Sequence, residues 1–204
     1  MNVRFYFDPI CPWCWVTSRW LADVVAPERD LDIDWRSISL AVRNEGRDMP
    51  EEYREPTRRT FQMLRVAEAL RADGHADQIG ALYTEFGTRI HRDEQLDFDL
   101  AEALESAGID ASYAAAFDDD RFDDAVRAST AEAEDVAGDD VGTPIIAYEV
   151  DGRWKGYFGP VIPAVVEGEA GLQLWDGLAA LIQVDGFYEL KKTRDVGPQI
   201  PGKG

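Results

Sequence analysis

Val3, Phe5 and Phe7 alternate with Arg4 and Tyr6, a period of two that predicts a first strand ending at Asp8-Pro9. Pro12 suits the first turn of a helix, and Trp15, Val16, Trp20 and Leu21 recur at helical spacing before Pro27, which should stop it. Leu31, Ile33 and Trp35 then alternate with Asp32, Asp34 and Arg36 as a second strand. After Ser39 strand alternation gives way to helical spacing, beginning near the turn RNEGRDMPEEY. Ile79, Leu82, Tyr83, Phe86 and Ile90 form one stripe, and Phe122, Val126, Ser129, Ala133 and Val136 form another. Strand chemistry returns with IIAYEV and RWKGYF on either side of Asp151-Gly152, a dipeptide suited to the positive φ angles of a tight hairpin. Leu174, Leu178 and Leu181 mark a last helix, and the tail VGPQIPGKG reads as loose.

Composition narrows the class. The 204 residues are 45% hydrophobic, enough for a substantial core, and no apolar run approaches the ~18 residues of a membrane span. Met1 opens onto the polar, strand-like MNVRFYF rather than the apolar stretch of a secretory signal, which points to the cytosol. The net charge of -19 argues against nucleic acid or an anionic membrane as partner, since both would be repelled. Residues 93–140 hold 17 of the 40 acidic residues, which reads as a solvated helical face. Arg54, Arg58, Arg59, Arg65 and Arg71 crowd one earlier segment, where they either serve the same solvation or face an anionic ligand.

The chemistry lies in DPICPWCWVT, which contains Cys11 and Cys14, the two cysteines of the chain. Strand, C-x-x-C, helix, strand is the context that turns a bare C-x-x-C into a thioredoxin-like signal, and thiols of the reducing cytosol are seldom structural disulfides. A structural zinc would need four ligands, and beyond the cysteines only His75 and His91 remain, sixteen residues apart. Two inert core thiols are the other reading. At a helix N-terminus Cys11 meets free backbone N–H groups and the positive end of the helix dipole, which lower its pKa. Cys14, one turn along the same side, can then attack a mixed disulfide on Cys11. Pro12 and Trp13 bring no positive charge, so Cys11 should depend on the helix end alone and the dithiol should favour reduction of substrates.

DPICPWCWVTSRW, SLAVRNEGRDMPEEYRE, DDVGTPII and YFGPVIP together resemble the DsbA-like, FrnE-type branch of the thioredoxin superfamily, and within it the actinobacterial mycothiol-dependent nitroreductases. The resemblance implies an α/β thioredoxin-like fold with an inserted all-helical domain. Residues 1–47 and 139–204 would form the thioredoxin-like part and 48–138 the insertion. It implies a cytosolic thiol-disulfide oxidoreductase without tightly bound cofactor or metal, reset by a low-molecular-weight thiol such as mycothiol and acting on small electrophilic or nitroaromatic substrates. Cys11 and Cys14 would be catalytic. Pro12, Thr143 and a cis Pro144 would support them, and Trp13, Asn44 and Tyr53 would line the substrate cleft. His91, a lone histidine on an apolar stripe, reads as structural. A homodimer stays open. Two departures limit the transfer: periplasmic DsbA enzymes carry histidine where Trp13 stands, and the related isomerases and kappa-class glutathione transferases lack the second cysteine. An isomerase or transferase of that type and a redox-sensing binding protein remain as rival readings.

Overall fold

The computed structural model describes residues 1–203. In chain order it runs β1 (Asn2–Phe7), α1 (Pro12–Arg19), a wide turn of π-helix (Trp20–Val25), α2 (Ala26–Arg29), β2 (Asp32–Ser37), α3 (Leu40–Arg43), α4 (Glu51–Ala72), α5 (Ile79–Gly87), a second π-turn (Thr88–Arg92) and α6 (Leu100–Ser106). A 3-10 stretch (Ala111–Asp118) leads to α7 (Asp123–Ala137), the hairpin β3 (Ile145–Val150) and β4 (Arg153–Phe158), and α8 (Gly168–Leu181). None of these helices is long and apolar enough to cross a membrane.

The four strands lie in the order β2-β1-β3-β4, with β1–β2 parallel and the other two pairings antiparallel. Alternation along β1 decides which helices cover which face. Val3, Phe5 and Phe7 join Trp15, Trp20, Ile146, Tyr148 and Trp175 in the larger core, beneath α1 and α8, whereas Tyr6 joins Ala133 of α7, Ile145 and Ala147 on the opposite side. On the α7 side Arg4 and Arg36 both pair with Glu132, and Arg4 lies over the Trp154 ring at 3.9 Å. The stripe from Ile79 to Ile90 is buried throughout and enters the larger core, which also takes in Met63, Leu64 and Leu70 of α4. Asp151 and Gly152 take φ of 51° and 73°, the paired positive angles a two-residue hairpin turn needs.

Two sequence expectations fail here. Pro27 does not end the first helix: the preceding turn widens so that the Ala26 N–H bonds the Leu21 carbonyl, and helix continues to Arg29 before Asp30 turns left-handed. The last helix marked by Leu174, Leu178 and Leu181 is present as α8, where these three are half-buried around the buried Gly171 and Trp175. The tail is anchored rather than loose. The Gln199 N–H donates to the Pro163 carbonyl at 2.6 Å, Ile200 packs on the core and Lys203 pairs with Glu94, while ahead of the tail the Tyr157 hydroxyl donates to the Phe187 carbonyl at 2.5 Å.

Candidate active site

The chain leaves β1 into a tight turn held by Asp8. Its backbone carbonyl accepts from the Cys11 N–H at 3.0 Å, and its carboxyl oxygens accept from the N–H groups of Ile10 (3.0 Å) and Leu40 (2.7 Å). This fixes Cys11 as the N-cap of α1. Pro12 takes the first helical position, where a missing N–H costs nothing, and the Cys11 sulfur accepts from the Cys14 N–H at 3.4 Å. From the segment before β3 the Thr143 hydroxyl donates to the same sulfur at 3.2 Å, and the Thr143–Pro144 peptide bond is cis. Both cysteines are free thiols, Cys11 6% exposed and Cys14 fully buried.

These contacts split the two thiols. Donation from the Cys14 thiol, aided by the Thr143 hydroxyl and the Cys14 N–H, lowers the Cys11 pKa despite burial and the nearby Asp8 charge. Burial pushes Cys14 well up, and the hydrogen bond and charge of Cys11 add to the rise. Cys11 is therefore the more acidic thiol of the pair and Cys14 the one that holds its proton more tightly. One expectation changes: Cys11 does not depend on the helix end alone, because two side chains also donate to it.

Asp8 was not singled out from the sequence, where an acid after a strand reads as a turn residue. Fully buried, it has its pKa raised to about 6 by loss of solvation, against the pull of the two backbone N–H groups. His91 is buried, its Nε2–H donating to the Pro9 carbonyl at 2.8 Å, and desolvation brings its pKa down to about 4. It is a neutral structural group. Among the described residues no three His, Cys, Asp or Glu side chains group to hold a metal ion.

Among the described residues no hydrogen bond joins the remaining candidates to either thiol. Trp13 is half-buried, with the Arg194 guanidinium 5.2 Å from the centre of its ring. Asn44 donates its side-chain amide to the Leu40 carbonyl at 2.7 Å and lines a separate cleft of about 450 Å³ with Arg47, Arg54, Arg58 and Arg127, which includes neither cysteine nor Thr143. Tyr53 stands 55% exposed in the first turn of α4. The arginine-bearing segment is largely spent on internal pairs. Arg59, Arg65 and Arg71 donate to the carbonyls of Leu96, Phe117 and Trp35, and Arg54 and Arg58 pair with Glu51 and Glu55.

Comparison with known proteins adds the family. The model of the Rv2466c-like proteins, described by the mycothiol-dependent nitroreductase Rv2466c, matches residues 10–192. The chain belongs to this family. The uncharacterised protein Rv2286c of Mycobacterium tuberculosis is 29% identical over 197 residues, covering 95% of this chain and 82% of its own length. Two solved structures share the fold. One is the cytosolic disulfide reductase DsbM of Pseudomonas aeruginosa, at 20% identity and TM-score 0.56, covering 88% of this chain and 100% of its own. The other is the probable DsbA oxidoreductase SCO1869 of Streptomyces coelicolor, at 23% identity and TM-score 0.57, covering 99% of this chain and 100% of its own. This Rv2466c-like chain is thus a thiol-dependent oxidoreductase of DsbA-like thioredoxin fold.

Proposed function

We propose that mycothiol supplies electrons to the Cys11–Cys14 couple, which passes them to a small electrophilic or nitroaromatic substrate. One mycothiol thiolate attacks the Cys11–Cys14 disulfide at Cys11, forming a mixed disulfide and releasing Cys14 as a thiol. A second mycothiol then frees Cys11, so that two mycothiol thiols become one mycothiol disulfide and the protein gains two electrons and two protons. In the reverse sense Cys14 resolves any mixed disulfide on Cys11. The observation that carries this reading is the split between the thiols: a donor-stabilised Cys11 beside a buried, protonated Cys14. An isomerase or transferase that only positions a thiol has no use for the second cysteine.

In this reading residues 48–138 act as an inserted helical domain that walls the site and Trp13 receives the flat substrate, while Asn44 meets only a substrate that extends into the arginine-lined cleft and Tyr53 stands exposed at the start of α4. The reduced thiol pool of the cytosol would keep the couple charged. A reduction assay with a nitroaromatic acceptor, run with mycothiol, glutathione or a thioredoxin system as donor, tests the proposal. It expects the fastest turnover with mycothiol and none for Cys11→Ser; turnover that survives alkylation of both cysteines would overturn it.

A further inference from the structure

Seven arginines lie over aromatic rings in this protein, and six of them are also ion-paired: Arg4, Arg19, Arg59, Arg65, Arg89 and Arg121 each have an Asp or Glu partner. Arg194, over Trp13, has no acidic partner and no hydrogen bond among the described residues. It is exposed, and it lies beyond residue 192, where the family match ends. The Lys191-Lys192-Thr193-Arg194 run is the densest basic stretch in a chain of net charge -19. The chain is held on either side of this exposed run, by the Tyr157–Phe187 contact before it and by Gln199, Ile200 and Lys203 after it. The tail therefore carries an uncommitted guanidinium to the aromatic side chain that stands between the two cysteines.

A guanidinium keeps its five donors in a planar fork that fits a carboxylate, and stacking on a ring leaves the fork edge free. The overall negative charge repels anions from this surface, so a local cation decides whether an anionic molecule can settle beside Cys11. We propose that Arg194 and Trp13 form a subsite for an aromatic carboxylate, with the free fork edge of Arg194 pairing the carboxylate while the part of Trp13 that Arg194 and the core leave open flanks the aromatic ring and directs the reducible group to Cys11. The inference rests on the oxidoreductase reading above and adds to it the charge of the substrate.

Stopped-flow reaction of the reduced protein with two aromatic disulfides tests it: dithiobis(nitrobenzoate), which carries a carboxylate on each ring, and the neutral dithiodipyridine. In both, the Cys11 thiolate attacks the disulfide and expels one arylthiolate. Cys14 then displaces the second, leaving the Cys11–Cys14 disulfide and two arylthiolates. The readout is the ratio of the anionic to the neutral second-order rate, which cancels any general effect on the dithiol. Arg194→Met, which keeps an unbranched side chain over Trp13 but removes the charge, should lower that ratio about fivefold, as loss of one partly exposed ion pair does. Arg194→Lys should retain more of the ratio than Arg194→Met, and Arg194→Glu should lower it further. A ratio unchanged in all three variants would overturn the subsite. A wild-type dithiol inert to the neutral reagent would overturn the oxidoreductase reading, and the subsite with it.

Discussion

Thr143→Val removes one hydroxyl donor from the Cys11 sulfur and changes little else, because the two side chains have nearly the same shape and residue 143 is buried. A hydrogen bond to a charged group contributes about 1.5–3 kcal/mol, and sulfur is a weaker acceptor than oxygen, so about 1.4 kcal/mol is a fair loss for a contact of 3.2 Å. That amounts to a roughly tenfold smaller thiolate population wherever Cys11 is mostly protonated. The remaining thiolate is more basic and so about threefold more nucleophilic at a Brønsted slope of ~0.45. The two effects oppose each other. Alkylation of Cys11 by iodoacetamide should be about three- to fourfold slower in the variant at low pH and about threefold faster at high pH, where both proteins are ionised. The rate–pH curves should therefore cross. Peptide mapping by mass spectrometry assigns the alkylated residue. Curves that superimpose, or a variant slower by one constant factor at every pH, would refute the assigned role of the Thr143 hydroxyl.

Two further outcomes follow from the packing beneath the site. A Cβ at Gly87 would lie 2.2 Å from Cε3 of Trp15, a buried ring held between Tyr83 and His91, so Gly87→Ala should cost at least about 1–3 kcal/mol and lower Tm by several degrees in thermal denaturation; an unchanged Tm would refute that packing. His91 titrates at about 4 in the fold against 6.5 when unfolded, so its contribution is present above pH 6.5 and lost as pH falls toward 4, by about 3 kcal/mol. Asp8 acts in the opposite sense, its burial penalty being relieved as pH falls from about 6 to 3.8. His91→Gln, which can keep a donor for the Pro9 carbonyl, should therefore gain on the wild type in urea unfolding as pH drops from 7 to 4; a stability difference constant over that range would refute the buried neutral imidazole.

What could be read from the sequence was local. The alternation in β1, the apolar stripe of α5 and the positive φ pair at Asp151-Gly152 each follow from a few neighbouring residues, and each is present in the fold. The failures involve partners distant in the chain. Arg59, Arg65 and Arg71 look like a basic patch until carbonyls 36 to 52 residues away take up their donors. Asp8 is a buried acid whose carboxyl accepts from the Leu40 N–H, 32 residues further along the chain, and no spacing within DPICPWC announces that. The tail looked loose because Val196 and Ile200 stand among glycines and prolines with no helical or strand periodicity. Pro27 misled for a different reason: a stop signal presumes the ordinary helical hydrogen-bond ladder, and a widened turn avoids the need for the missing N–H.

The central claim, that Cys11 exchanges with a low-molecular-weight thiol and Cys14 resolves the product, is tested most directly by intact-mass analysis of the Cys14→Ser variant incubated with mycothiol disulfide. The account predicts one stable mycothiol adduct, mapped to Cys11, while the wild type under the same conditions goes on to the Cys11–Cys14 disulfide. A Cys14→Ser protein that stays unmodified, or a Cys11→Ser protein that takes up the adduct on Cys14 at the wild-type rate, would contradict it.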